Sequence, residues 1–181
     1  MPGLLLICPG LARIQEAYTM ITVSRQLKGI IDPARSRLLS ISDTHASEKM
    51  SPDKWSIKEI LGHLTDSAAN NHQRIVRMQE NRNIGEFRYE QQHWVQAQRH
   101  QAKPWPDLVD FWYHYNAHLA HVIAHVNPEA LDHLCDMGYS RPATLRFVIE
   151  DYVRHLEHHL KQIWDDQDPS QLEKWVRREP S

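Results

Sequence analysis

His155 and His159 stand four residues apart in the string TyrValArgHisLeuGluHisHisLeuLysGln, residues 152–162. On an α-helix that spacing raises both imidazoles from one face, a turn apart, so both can reach one metal ion. His158 is rotated by about 100° from His159 and is not placed to join them. A third imidazole, His63, is the only histidine on the helical face that carries Ile60 and Ser67, inside TrpSerIleLysGluIleLeuGlyHisLeuThrAsp. Two ligands from one helix and one from another make a facial three-histidine site with open positions, the form of a catalytic rather than a structural metal site. A divalent ion in it can lower the pKa of water towards ~7, hold a thiolate or polarise a carbonyl. Neutral imidazoles suit zinc or nickel first, and also accept iron or manganese.

The residues around the triad suggest a pocket. Ser67, Asn70 or Asn71, and Arg74 follow His63 at helical spacing and could orient an anionic or amide-bearing ligand, although the same pattern suits a solvated helix flank. Asp66, three residues after His63, is a candidate acceptor for an imidazole N–H, or equally a surface i, i+3 partner. Tyr152 and Gln162 lie near the histidine pair by spacing, and Tyr89 and Trp94 could form a lid. No side chain identifies itself as the catalytic group. The nucleophile would be metal-bound water or a thiolate, with Arg74 and Tyr152 as the side chains that could assist.

A rival cluster exists. His114, His118, His121 and His125 fall at spacings of four, three and four, a continuous stripe about 100° around from the centre of an apolar stripe. Any adjacent pair could take a metal. The preferred reading is a boundary stripe at the edge of the core or at a subunit interface, because no second element offers a recognisable ligand. Such a stripe would gain charge as pH falls through about 6.5.

These side chains need helices to position them, and the punctuation is helical. Asp32 and Pro33 read as an N-cap and first helical residue, dividing a helix over about 21–31 from one running to about Ser42, or else kinking a single helix. Ser56 and Glu59 form a capping box for a helix to about Gln79. Residues 81–104 read as a long loop with a short helix near 90–100. Pro106 and Asp107 open a third helix with the apolar stripe Leu108, Phe111, Trp112, Tyr115, Leu119, Val122 and Val126, stopped by Asn127 and Pro128. A short turn of helix is expected at 128–134, and Thr144 caps a fourth long helix. Ser170 and Glu173 suggest a brief C-terminal one. No segment alternates with period two. The expected fold is an all-α four-helix bundle with a long connection between helices two and three, a natural place for a metal or ligand site.

Composition limits the partners. The 181 residues suit one domain, and a net charge of -2 offers no field for nucleic acid or an anionic membrane. A mean hydropathy of -0.62, without an apolar run near the ~18 residues of a membrane span, argues against a membrane protein. Cys8 and Cys135 cannot build a disulfide framework and fit a reducing cytoplasm. Residues 1–20 read as a poorly ordered N-terminal extension, 21–166 as the bundle, and 167–181 as a tail. The sequence holds 13 histidines, of which the triad and the stripe take seven and leave His45, His72, His93, His100, His133 and His158 without a role.

The strings at 55–67 and 70–75, TyrGluGlnGlnHisTrpVal at 89–95 and IleGluAspTyrValArgHisLeuGluHisHisLeuLysGlnIle at 149–163 closely resemble the DinB/YfiT-like family, over about residues 21–165. The resemblance implies a four-helix bundle whose metal triad falls on His63, His155 and His159, the same residues that helix geometry selects. It also implies a cytoplasmic homodimer acting on a small molecule. Two chemistries come with it, a thiol-dependent S-transferase and a metal-dependent hydrolase of amides or esters. The absence of a carboxylate base at a predictable spacing from the triad favours the thiol. A non-catalytic, stress-associated metal- or ligand-binding protein is the alternative of a different class.

Overall fold

The computed structural model describes residues 9–165. Four long helices, α1 (Pro9–Leu39), α3 (Ile57–Glu80), α5 (Trp105–Ala124) and α6 (Leu145–Asp165), form the bundle, with short helices α2 (Asp43–Ser47) and α4 (Gln91–Ala97) in the connections. α3 is the central element. It packs on both α5 and α6, while α1 packs mainly on α5 and also meets α6. Among the described residues, no helix is long and apolar enough to cross a membrane.

α1 is one helix that passes through Pro33. The Asp-Pro pair reads locally as a helix start, but the buried positions Met20, Ser24, Leu27, Ile31, Ala34 and Leu38 keep spacings of four and three across the proline. Burial of that continuous face outweighs the missing N–H. The carboxylate of Asp32 is used elsewhere and accepts from the Tyr113 hydroxyl at 3.1 Å. α1 also starts well before Ile21. Its early turns are tied down by ion pairs of Arg13 with Glu129 (2.9 Å) and Glu16 with Arg146 (3.0 Å). The C-terminal helix expected from Ser170 lies outside the described residues.

The capping box is present. The Ser56 hydroxyl accepts from the Glu59 backbone N–H at 3.2 Å, and the Glu59 carboxylate accepts from the Ser56 backbone N–H at 2.9 Å. This fixes the start of α3 two turns before His63. Lys58 is only 3% exposed and reaches Asp43 at 3.0 Å, which compensates its buried charge. On α5 the buried face is Leu108, Val109, Trp112, Asn116, Leu119, Ala120 and Ile123, while Phe111 of the expected stripe is 48% exposed. The face turns because Asn116 goes inward, where its amide oxygen accepts from the hydroxyl of Tyr152 on α6.

A small sheet, unexpected from the sequence, joins the two long connections. β1 (Asn83–Glu86) runs parallel to β2 (Leu134–Asp136), which pairs antiparallel with β3 (Ala143–Thr144). Its strands have four, three and two residues, too few for period-two alternation to show. It draws the chain after α3 and the chain before α6 together beside the bundle. The Thr144 hydroxyl then caps α6, accepting from the Phe147 N–H at 3.2 Å.

Candidate metal centre

His63 is fully buried in the first half of α3, between Ile60 and Leu64. On α6, Tyr152, Leu156, Leu160 and Ile163 are sunk in the core, which leaves His155 and His159 half-buried at its margin. The crossing of α3 and α6 brings the three together, with a potential ligand nitrogen of each within 4.8 Å of the others. Nε2 of His63 and Nε2 of His155 are 3.2 Å apart. Two nitrogens bound tetrahedrally to one zinc at about 2.0–2.1 Å lie roughly 3.4 Å apart, so this spacing is compatible with two ligands of one ion and equally with a direct N–H···N hydrogen bond.

Burial decides their charge. It pushes His63 down to about 3, helped by His155 and His159, and pushes His155 down to about 4, against the pull of Asp151. His159 is lowered for the same reason, opposed by its bond to Gln162. All three are therefore neutral at pH 7 and offer lone pairs without losing a proton first. The outer nitrogens help to orient the rings. Nδ1–H of His159 donates to Gln162 Oε1 at 3.1 Å, and Nδ1 of His155 stands 3.5 Å from the Ser67 hydroxyl. A proton fixed on Nδ1 leaves Nε2 free to ligate. Among the described residues, Nδ1 of His63 has no hydrogen-bond partner, and its ring stands 5.0 Å from that of Trp55.

A cavity of about 260 Å³ opens beside His155, and Ser67, Asn71, Arg74, Tyr89 and Tyr152 reach it as expected. Arg88, Tyr139 and Asp151 join them. Asn70 faces a separate, larger hollow together with Trp94. Tyr89 and Trp94 do touch, with ring centroids 5.3 Å apart, so together they wall the two spaces. Burial holds the Tyr89 phenol at about 12 against a hydrogen bond with Ser67, and it stays protonated. The Tyr152 hydroxyl is turned away to Asn116.

Asp66 does not serve the triad. It accepts from Gln98 and from His100, whose Nε2 is 3.1 Å away, and so holds the connection after α4 against α3. Gly62 makes room for this, because a Cβ there would fall 2.3 Å from the His100 ring. The α5 stripe is exposed at all four positions, yet it does meet a second element. His72 of α3 contacts the His118 ring at 5.1 Å and bonds the Tyr115 hydroxyl at 3.0 Å. Among the described residues, only His63, His155 and His159 form a group of three potential ligands.

The sequence reading missed Trp55, Arg88, Tyr139 and Asp151. Asp151, four residues before His155, carried a usable signal, since it lies one turn away on the same helical face. The others reach the site from outside the long helices, where spacing carries no information.

The fold and site together define a four-helix bundle with a three-histidine cluster, one member of which, His155, borders a polar cavity. The model of the DinB superfamily matches residues 26–163, and the chain belongs to that family. Its structure is similar to that of YfiT from Bacillus subtilis, described as a probable metal-dependent hydrolase with an unusual four-helix bundle topology. The two share 14% identity over 92% of this chain and 91% of the other, with a TM-score of 0.63, a likeness of fold. No curated protein matches the chain.

Proposed function

We propose that the chain is a metal-dependent enzyme acting on a small molecule in the cavity beside His155, with His63, His155 and His159 as the ligands of one divalent ion. The observation that carries the reading is the convergence of three neutral imidazoles at the edge of a polar, partly enclosed space. The bound ion would supply Lewis-acid activation of a nucleophile near neutral pH. Zinc or nickel suits the three borderline nitrogen ligands best. The family resemblance adds a homodimer working in the cytoplasm.

The remaining work falls to the protein. The protonated Tyr89 phenol can donate to a substrate oxygen, while Asn71, bonded to Ser67 and Arg74, holds the wall of the cavity. Asp151, the carboxylate of the cavity, can take a proton from a nucleophile at Oδ2, where the Tyr139 hydroxyl donates at 3.4 Å. A carboxylate in that place favours hydrolysis, which we assign to an amide or ester, and the description of YfiT as a probable metal-dependent hydrolase supports the reaction type alone. Thiol-dependent S-transfer is the second reading. It is favoured by the Arg154 bond to Asp151 Oδ1 at 3.1 Å, which occupies that carboxylate oxygen, and a thiol needs less help than water to ionise.

The test is turnover of ester and amide panels by metal-loaded protein, with and without a low-molecular-weight thiol. Hydrolysis without thiol is expected, reduced about 10²- to 10⁴-fold in Asp151→Asn. Turnover that requires the thiol would move the assignment to S-transfer. If neither occurs while metal and ligand still bind, the chain is a binding protein.

A further inference from the structure

Arg74 is 5% exposed and lines the cavity beside His155. A guanidinium stays charged when buried, and a buried charge is costly unless an opposite charge meets it. Here none does. Its Nε and Nη2 donate to the Phe87 carbonyl at 3.2 and 2.6 Å, and Nη1 donates to Asn71 Oδ1 at 3.2 Å, all neutral acceptors. Among the described residues, no carboxylate forms an ion pair with it: Asp151 is bound by Arg154, and Glu86 and Asp136 by Arg88.

The groups that could ionise beside it are Cys135, Tyr89 and Tyr139. Burial raises all three above their ordinary values, so each remains a neutral thiol or phenol at pH 7. The Phe87 ring, 5.5 Å from the guanidinium carbon, adds only a weak cation–π contact. Arg74 is thus a preorganised cation held by dipoles, without a protein counter-charge, at the wall of the cavity.

We propose that Arg74 receives an oxyanion of the substrate, a carboxylate or phosphate group, and so fixes which end of the molecule faces the histidines. The inference rests on the reading of this cavity as the substrate site. Planar guanidinium groups suit both oxyanions, and the compensating charge arrives only with the ligand. Substrates without such a group would bind poorly, because entering the cavity would leave the cation buried and unpaired.

The test uses the full chain at pH 7, metal-free and metal-loaded, titrated with inorganic phosphate and with acetate. Arginine Nε–H resonances are followed by NMR, with the Arg74 signal identified by its loss in Arg74→Lys. A saturable shift of that signal is expected in both metal states, and the anion giving the larger shift identifies the oxyanion class. By calorimetry, Arg74→Gln should weaken anion binding by about tenfold or more, and Arg74→Lys by less. An Arg74 signal unmoved by either anion, or Arg74→Gln binding as well as wild type, overturns the proposal. If Arg74→Gln does not fold, the wild-type resonance decides alone. Because the metal-free protein is included, failure of the metal reading leaves this outcome separately readable.

Discussion

At the scale of single residues, the triad was legible because it depends on little more than helical geometry. His155 and His159 need only a spacing of four, and His63 needs only a face. Asp66 meets His100 and not the triad, and spacing could not decide between its candidate partners because His100 arrives from the connection between α3 and α5. His72 against His118 was invisible for the same reason. Gln162 was placed correctly, and it carries a prediction. Gln162→Leu removes the acceptor of the His159 Nδ1–H, so metal affinity measured by chelator competition should fall about 10- to 100-fold with the fold intact.

The pH dependence also belongs to residues. In metal-free protein, His63 and His155 are held neutral at values of about 3 and 4, below the ordinary value of 6.5. The unfolded chain therefore binds more protons than the folded one as pH falls below about 6.5, so their neutral burial costs stability there. Urea midpoints of EDTA-treated protein should hold above about pH 7 and decline progressively towards about pH 4. His155→Gln should flatten part of that decline.

At the scale of elements, four helices and the capping box were readable from periodicity and punctuation. Pro33 was the instructive exception. Its local signal says stop, and the continuous face of Ile31, Ala34 and Leu38 says continue. The inward turn of Asn116 was likewise hidden, because its reason is Tyr152 on another helix. The three strands were too short to announce themselves, although they bring Phe87, Arg88 and Tyr89 to the cavity side of α3. Two measurements test how these elements are held. Ser56→Ala should destabilise the protein by about 1 kcal/mol in urea unfolding, by loss of the α3 cap. Gly62→Ala should cost about 1–3 kcal/mol, because the new methyl must displace the His100 ring. Hydrogen exchange should then quicken across residues 98–103, where Asp66 no longer holds Gln98 and His100.

At the scale of the molecule, the apolar core draws on all four long helices, most of it on residues other than the triad. Leu27 and Ile31 of α1, Leu61 and Ile75 of α3, Trp112 of α5, and Leu156 and Ile163 of α6 are all fully buried in it. Removal of metal should therefore leave the helical circular dichroism unchanged at pH 7 while lowering the melting temperature by the linkage of the lost ion. Collapse on chelation would mean that the histidines serve chiefly to join α3 to α6. The central claim is narrower, that His63, His155 and His159 hold one divalent ion. Elemental analysis of protein purified without a histidine tag tests it most directly. About one metal per chain is expected in the wild type and in His118→Ala, and almost none in His159→Ala. Metal retained in His159→Ala, or lost in His118→Ala, would contradict the account.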